Sequence, residues 1–166
     1  MVIRFECMKR TLNIICGLTA LILATVSCKK DDPQTITLDQ VLVGEWHLVS
    51  AEAENQSIMT DIDVFLCIHA DCSFELYQKS GTQTYRYDKY TGTCHTDGGI
   101  LTGVYSNGKP WGGKYTYTVT AGNLQLKTTN NLEKQQYTSC QIPASVKDNA
   151  NMINTKAVIS AGTPIL

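Results

Sequence analysis

From residue 38 onward, apolar and polar residues alternate in short runs that are separated by turn-forming residues. Alternation with a period of two is typical of β-strands that have one buried face, and Asn-Gly and Asp-Gly pairs are strong hairpin signals. Such pairs occur at Asn107-Gly108 and Asp97-Gly98. The pattern predicts eight strands, at residues 45–53, 63–70, 73–79, 84–94, 100–106, 114–120, 124–129 and 134–142.

Sequential strands with short connections favour one architecture. An all-β, eight-stranded, antiparallel up-and-down barrel is predicted, because closing the sheet removes its exposed edges. A β-sandwich with the same number of strands is the alternative fold. The chain has 166 residues, which suits a single domain.

Two short helical segments are predicted beside the barrel. The stretch LDQVLVG favours one helical turn with Thr37 as its N-cap. Its inward-facing residues are predicted to be Leu38, Val41 and Leu42. A second helix is predicted to begin at Pro143, because proline suits the first helical position. Its apolar face is predicted to consist of Val146, Ala150 and Ile153.

A different pattern precedes the strands. Lys9 and Arg10 are followed by an apolar run over residues 12–26, and Ser27-Cys28 then leads into a charged stretch. A basic start, an apolar segment and a small residue are the layout of a bacterial secretory signal. The apolar run is shorter than the roughly 20 residues that a membrane-spanning helix needs. An uncleaved N-terminal anchor helix is the alternative.

The cysteine at the end of this run predicts a lipoprotein signal, in which a lipid-modified Cys28 becomes the first mature residue. The predicted organisation is a signal peptide at 1–27, a lipid-anchored tether at 28–37 and the barrel domain at 38–166. Met8 is an alternative start, because Glu6 is unusual in the basic region of a signal. The predicted location is the bacterial cell envelope, with the membrane as a partner through the lipid.

Five stretches of the chain then carry a resemblance. LVGEWHLVS contains Gly44 and Trp46, the G-x-W signature of the first lipocalin strand. The other four resemble the lipocalin-like lipoproteins of Bacteroides-type bacteria, and they are DCSFELYQKSG, YDKYTGT, DGGILTGVYSNGKPWGGKYTYTV and IPASVKDNA. The resemblance covers most of 38–153 and implies a barrel whose first strand follows a short helical turn. It also implies an outer-membrane lipoprotein that is periplasmic or surface-facing.

The interior of such a barrel is either filled by side chains or holds one small ligand. Alternation places Tyr85 and Tyr87 on one face of a strand, and Tyr115 and Tyr117 on one face of another. If they point inward, they line a lumen for a small apolar or amphipathic ligand. If they point outward, they form exposed cross-strand pairs. Trp111 lies in a predicted loop and either contacts ligand at the barrel mouth or caps the core. Trp46 is predicted to be a structural plug.

A second functional class stays open beside the carrier, namely an interaction module that binds a protein or glycan through its loops. The net charge of −1 does not indicate a nucleic-acid partner. No nucleophile motif surrounds a serine or cysteine, so no enzyme, catalytic residue or cofactor is predicted. A hydrolase would need His69 or His95 beside a carboxylate in a pocket.

The remaining cysteines leave further alternatives. Cys67, Cys72, Cys94 and Cys140 allow three disulfide pairings, and an oxidising envelope permits them. A zinc site would combine Cys72 and Cys94 with His69 and His95. Adjacent residues of a strand point to opposite faces, so no metal site is predicted.

Overall fold

A computed structural model describes residues 37–59, 61–81, 86–153 and 164–166. The predicted signal peptide, the lipid site at Cys28, the tether up to residue 36 and the predicted ligand residue Tyr85 lie outside the described residues.

The described residues form ten strands, of which eight close into a barrel. The strands are β1 (Gly44–Ala53), β2 (Gln56–Ser57), β3 (Ile62–Ile68), β4 (Ser73–Ser80), β5 (Asp88–Asp97), β6 (Ile100–Tyr105), β7 (Tyr115–Thr120), β8 (Asn123–Thr128), β9 (Glu133–Ser139) and β10 (Asn151–Met152). Antiparallel pairing runs through β1, β3, β4, β5, β6, β7, β8 and β9, and β9 returns to β1. The predicted up-and-down barrel is confirmed, and the sandwich alternative is wrong.

All eight predicted strands correspond to barrel strands. The largest difference is at β5, which was predicted at residues 84–94 and is found at Asp88–Asp97. Its register with β6 continues to the pair Asp97 and Ile100, because Gly98 and Gly99 adopt positive φ angles of 55° and 79° and close a tight hairpin. The two-residue strands β2 and β10 pair with β1 and β5 and do not complete the barrel wall.

A short 3-10 helix at Gln40–Leu42 closes the barrel end at which β1 begins. Asp39, rather than Thr37, caps it by accepting a hydrogen bond from the Val41 amide at 3.2 Å. The Thr37 hydroxyl instead donates to the Thr96 carbonyl, so the predicted cap is wrong. Leu38 and Leu42 are buried as expected. Val41 points outward and is 53% exposed, since a 3-10 turn presents fewer residues to one face.

The C-terminal helix α1 spans Ala144–Asn149 and packs Val146 against the outside of the barrel. It follows Pro143, as expected. It ends before Ala150 because the next residues extend and pair in parallel with β5. The predicted helical face including Ala150 and Ile153 is therefore wrong. Within the described ranges, no helix has the length and apolar character needed to cross a bilayer.

Two separate apolar clusters result from the alternation along the strands. The larger cluster fills the barrel and receives side chains from all eight barrel strands. The smaller cluster lies on the outer face of β3 and β4 beneath α1. Its buried members are Phe65, Cys67, Tyr77, Ile142 and Val146. Burial on both faces explains why β3 is a continuous apolar run from Val64 to Ile68.

Candidate functional site

The barrel interior is largely filled by its own side chains. Trp46 is 4% exposed and donates its indole N–H to the Leu42 carbonyl at 3.0 Å, which ties the first strand to the 3-10 helix. Leu66, Leu76 and Leu124 have no exposed surface. The middle of the barrel is therefore a packed core, and any ligand site must lie towards an end or on the outside.

The predicted tyrosines are divided between the two faces of the wall. Tyr115 is 1% exposed and lies inside the barrel. Tyr117 is half-buried against the interior cluster, and its hydroxyl donates to Asp39 Oδ2 at 3.0 Å. Tyr87 lies on the outer face and packs on Phe65 with ring centroids 5.9 Å apart. Of the two orientations left open for it, the structure has the outward one, because the inward residues of β5 are even-numbered, as at Tyr90.

Trp111 follows β6 but is not an exposed loop residue. It is 5% exposed and packs edge-on against Phe74 and Tyr115, at centroid distances of 5.1 and 6.2 Å. Its ring fills the space at Gly103, where an added Cβ would lie 2.2 Å from the indole. Of its two predicted roles, the structure has the one that caps the core. Its buried indole N–H has no hydrogen-bond partner among the described residues.

Two buried glutamines mark the far end of the barrel, which is the end away from the 3-10 helix. Gln78 is 5% exposed and lies near the end of β4, which runs parallel to β1. Gln135 is 2% exposed and pairs with Ala51 near the end of β1. Burying a primary amide is costly unless its hydrogen bonds are satisfied. Each of these side chains forms one hydrogen bond with the same short segment of chain.

That segment, residues 164–166, enters the barrel between the two glutamines. The Ile165 amide donates to Gln78 Oε1 at 2.9 Å, and Gln135 Nε2 donates to the Ile165 carbonyl at 3.0 Å. The two side chains thus hold both polar groups of one peptide residue, as a neighbouring β-strand would. Leu166 is 2% exposed and belongs to the interior cluster.

Two tyrosine hydroxyls complete this arrangement. Tyr105 donates to the main-chain oxygen of Leu166 at 2.7 Å, and Tyr137 donates to Gln135 Oε1 at 2.6 Å. The second bond orients the Gln135 amide so that its NH₂ group faces Ile165. Burial raises the pKa of Tyr105 and Tyr137 well above the ordinary phenol value, so both remain neutral donors. Gln78, Tyr105, Gln135 and Tyr137 are called the far-end site below.

The far-end site was not predicted from the sequence. Glutamine is mostly an exposed residue, so Gln78 and Gln135 were not candidates. One signal was present: Gln135 and Tyr137 have the same parity on one strand, so a buried Tyr137 implies an inward Gln135.

The outer face beneath α1 carries a second polar cluster. His47 Nε2 and Asp63 Oδ1 are 2.8 Å apart, and the Tyr87 hydroxyl donates to the same carboxylate. Burial opposes ionisation of Asp63, but the hydrogen bonds from Tyr87 and His47 outweigh it and lower its pKa. Lys147 on α1 contacts Glu45 on β1 at 2.6 Å. These contacts hold α1 and Tyr87, the residue before β5, against the barrel wall.

The four cysteines in the described part of the chain are free thiols. The Cys94 amide donates to the Cys72 carbonyl at 2.8 Å. Cys72 and Cys94 therefore continue the antiparallel register of β4 and β5 by one residue beyond the pair Ser73 and Thr93. Directly opposed antiparallel residues have Cα atoms about 4.5–5.5 Å apart, which lies within the range of a disulfide. Cys67 pairs with Glu45 on one side of β1, and the Cys140 amide donates to the Glu45 carbonyl on the other side. The backbones at Cys67 and Cys140 are therefore separated by two strand spacings, about 9.5 Å. The register therefore permits the Cys72–Cys94 pairing and disfavours Cys67–Cys140.

One cysteine and one histidine come together, since Cys67 Sγ lies 3.5 Å from His69 Nε2. Burial and the carboxylates Glu45 and Glu75 raise the pKa of Cys67 to about 11, which keeps it a thiol. Cys94 is buried inside the barrel, whereas the ring of His95 contacts the Thr102 hydroxyl on the other face. In the part of the chain that the structure describes, no three His, Cys, Asp or Glu residues are grouped to hold a metal.

The outside of the barrel wall also carries concavities. One has a volume of about 420 Å³ and lies over β4, β5 and β6. Its outward-facing lining includes Glu75, Thr91 and Val104. Another has a volume of about 260 Å³ and lies over β7, β8 and β9, beside Val49. Both are open surface grooves rather than extensions of the interior.

Comparisons with known proteins yield two structural likenesses. No protein-family profile and no curated protein matches the sequence. Among solved structures, the chain is similar to the lipoprotein YedD from Klebsiella pneumoniae subsp. pneumoniae MGH 78578, with 10% identity, a TM-score of 0.45 and coverage of 68% of this chain and 84% of that chain. It is also similar to a mutant of the fluorescent protein UnaG, with 10% identity, a TM-score of 0.36 and coverage of 61% of this chain and 97% of that chain.

Proposed function

We propose that this chain is a lipid-anchored, non-enzymatic protein of the bacterial cell envelope whose lipocalin-like barrel binds a small, partly apolar ligand at its far end. The anchor is assigned to Cys28, at the end of the apolar run that follows Lys9 and Arg10. The fold is compatible with a binding role, because the interior of an eight-stranded barrel either is filled by side chains or holds one small ligand.

The observation that carries this proposal is the far-end site. Small-molecule sites combine apolar walls with a few convergent polar groups, and Gln78, Tyr105 and Gln135 are such groups inside an apolar barrel. A barrel that served only as a packed scaffold would gain little from burying two glutamines. The indole N–H of Trp111, which has no acceptor among the described residues, adds a donor in the same interior.

Titration of the folded full chain with the neutral apolar fluorophore N-phenyl-1-naphthylamine tests this function. We expect saturable fluorescence enhancement that Trp111→Phe and Tyr105→Phe weaken. Thr118→Ala, on the outward face of β7, is the matched control and should leave it unchanged. Equal affinity of Trp111→Phe, Tyr105→Phe and the unsubstituted chain would contradict a binding site inside the barrel.

The lipid anchor has its own test. Cys28→Ser should prevent acylation and move the protein from the membrane fraction to the soluble fraction. If the variant stays in the membrane fraction, an uncleaved N-terminal helix replaces the lipid as the proposed anchor.

A second candidate function is supported by the filled interior. If the barrel binds no probe, its outer surface is the remaining place for a partner, and the groove over β4–β6 then leads. Because Trp111 is buried, it does not take part in such an interaction. Val104, which is 39% exposed in that groove, is the residue to substitute first.

A further inference from the structure

The contacts of residues 164–166 have the form of ligand recognition. The segment forms its hydrogen bonds through main-chain atoms, with Gln78, Gln135 and Tyr105 as the side-chain partners. Main-chain recognition of this kind selects an extended peptide without reading its side chains, as strand addition does at a sheet edge. Specificity then comes from the pocket that receives a side chain.

Leu166 supplies that side chain. It is 2% exposed and lies within the interior cluster, and an added Cβ at Gly112 would lie 3.9 Å from its main-chain atoms. The pocket is therefore apolar and of the size of a branched aliphatic group. A molecule that replaces the segment must offer an amide N–H for Gln78, a carbonyl for Gln135 and then an aliphatic group for the pocket. A short apolar peptide has these groups in this order.

The polar partners are held ready for such a ligand. Tyr137 donates to Gln135 Oε1, which leaves the Gln135 NH₂ group directed at the Ile165 carbonyl. Gln78 Nε2 donates to the Ser80 hydroxyl at 3.1 Å, which leaves Oε1 directed at the Ile165 amide. Each glutamine is thus oriented by a neighbour on its own strand, so the donor and acceptor are preorganised.

From this arrangement we propose that the far-end site binds the backbone of a short, extended apolar peptide, and that residues 164–166 occupy it as an intramolecular competitor. This inference rests on the proposed function, because it names the ligand class of the same site. An external peptide must displace the segment, so its apparent affinity is the intrinsic affinity multiplied by the fraction of molecules in which the site is open.

The test uses the full chain with Leu166→Ser, which weakens the internal segment and leaves the far-end site intact. A fluorescent peptide with the sequence Thr-Pro-Ile-Leu, acetylated and amidated, is titrated by anisotropy. Loss of one buried leucine side chain should raise the peptide affinity about tenfold or more over the unsubstituted chain. Leu132→Ser is the matched control, because Leu132 is 51% exposed, and it should leave the affinity unchanged.

Two changes then test main-chain recognition. A peptide with an N-methyl group on its isoleucine cannot donate to Gln78 and should bind about tenfold more weakly. In the Leu166→Ser background, Gln135→Met should weaken peptide binding by a similar factor. Gln136→Met, on the outward face of the same strand, should not. If Leu166→Ser does not fold, Leu166→Ala provides the same comparison with a smaller gain.

The outcomes separate the inference from the function on which it rests. If N-phenyl-1-naphthylamine binds Leu166→Ser but the peptide does not, peptide recognition is overturned and the small-molecule site stands. Equal peptide binding by Leu166→Ser, Leu132→Ser and the unsubstituted chain overturns intramolecular competition. If the folded Leu166→Ser variant binds neither molecule, both proposals are overturned.

Discussion

The two ends of the barrel interior are closed by different physical means. At the end where β1 begins, Leu38, Leu42 and Trp46 form an apolar closure with one internal hydrogen bond. At the far end, Gln78 and Gln135 hold the peptide groups of Ile165 through hydrogen bonds. Apolar closure is continuous with the core and contributes to folding. The proposed exchange with an external peptide rests on this difference, because a peptide can offer the same polar groups as the segment.

This difference predicts unequal costs when each closure is damaged. Trp46→Ala should lower the free energy of unfolding by about 3–5 kcal/mol, because a large buried ring is replaced by a cavity. Val41→Ala, on the exposed side of the same 3-10 helix, should cost far less. Chemical denaturation measures both. A loss below about 1 kcal/mol for Trp46→Ala would mean that this end is not part of the folding core.

Leu166→Ala should cost less than the Trp46 change, at about 1.5–3 kcal/mol, the transfer free energy of one leucine side chain. If the segment leaves the barrel, as the proposed competition requires, no enclosed cavity adds to the loss. Denaturation of the full chain measures the cost, and hydrogen exchange of the Ile165 amide should accelerate. If Leu166→Ala destabilises the chain as much as Trp46→Ala, the two ends belong to one core and the contrast fails.

Gln135→Met keeps the side-chain length but removes both amide hydrogen bonds. The Tyr137 hydroxyl and the Ile165 carbonyl then lose a partner, at a cost of about 1–3 kcal/mol. Gln136→Met on the same strand is the control, since its side chain faces outward. An unchanged unfolding midpoint for Gln135→Met would show that the polar contacts at the far end contribute nothing to closure.

The smallest effect on stability is expected from acidification, and it should come from the outer face of the barrel rather than from either end of the interior. Hydrogen bonds from Tyr87 and His47 outweigh the burial of Asp63 and lower its pKa in the folded state. A lowered folded pKa stabilises the protein above the unfolded pKa, and this contribution is lost as the pH falls through the folded value. The melting temperature should therefore decrease on acidification below about pH 4.

Asp63→Asn should flatten that part of the pH profile. The far-end site contains neutral amides and phenols, so its peptide affinity should not change over the same range. A parallel loss of peptide affinity in acid would link the outer cluster to the far end.

Much of the fold could be predicted from local pattern. Hairpin signals such as Asn107-Gly108 and the alternation along residues 114–120 depend on interactions between near neighbours in sequence. The errors occur where a distant segment decides. Ala150 leaves the helical pattern because Asn151 pairs with Asp88 across the chain. The orientation of Tyr87 was left open by the sequence, because its partner Asp63 lies on a strand that precedes it by 24 residues.

The same distinction between local pattern and contacts with distant segments applies to the candidate site. Alternation along one strand predicted that Tyr115 and Tyr117 share a face, and the structure shows that this face is directed at the interior. The roles of Gln78 and Gln135 depend on a segment 87 and 30 residues away, respectively. A glutamine in a strand is ambiguous by itself, since its burial is favourable only when a distant partner satisfies its amide.

The sequence by itself determined the number of barrel strands, the turns and the residues of each strand that share a face. These features depend on side-chain period and backbone preference over a few residues. Only the tertiary structure decided that the barrel is filled, that Trp111 is inside it and that residues 164–166 enter the far end. These features depend on the volume left between packed side chains and on hydrogen bonds between segments far apart in the chain, and neither is written in the local pattern of residues.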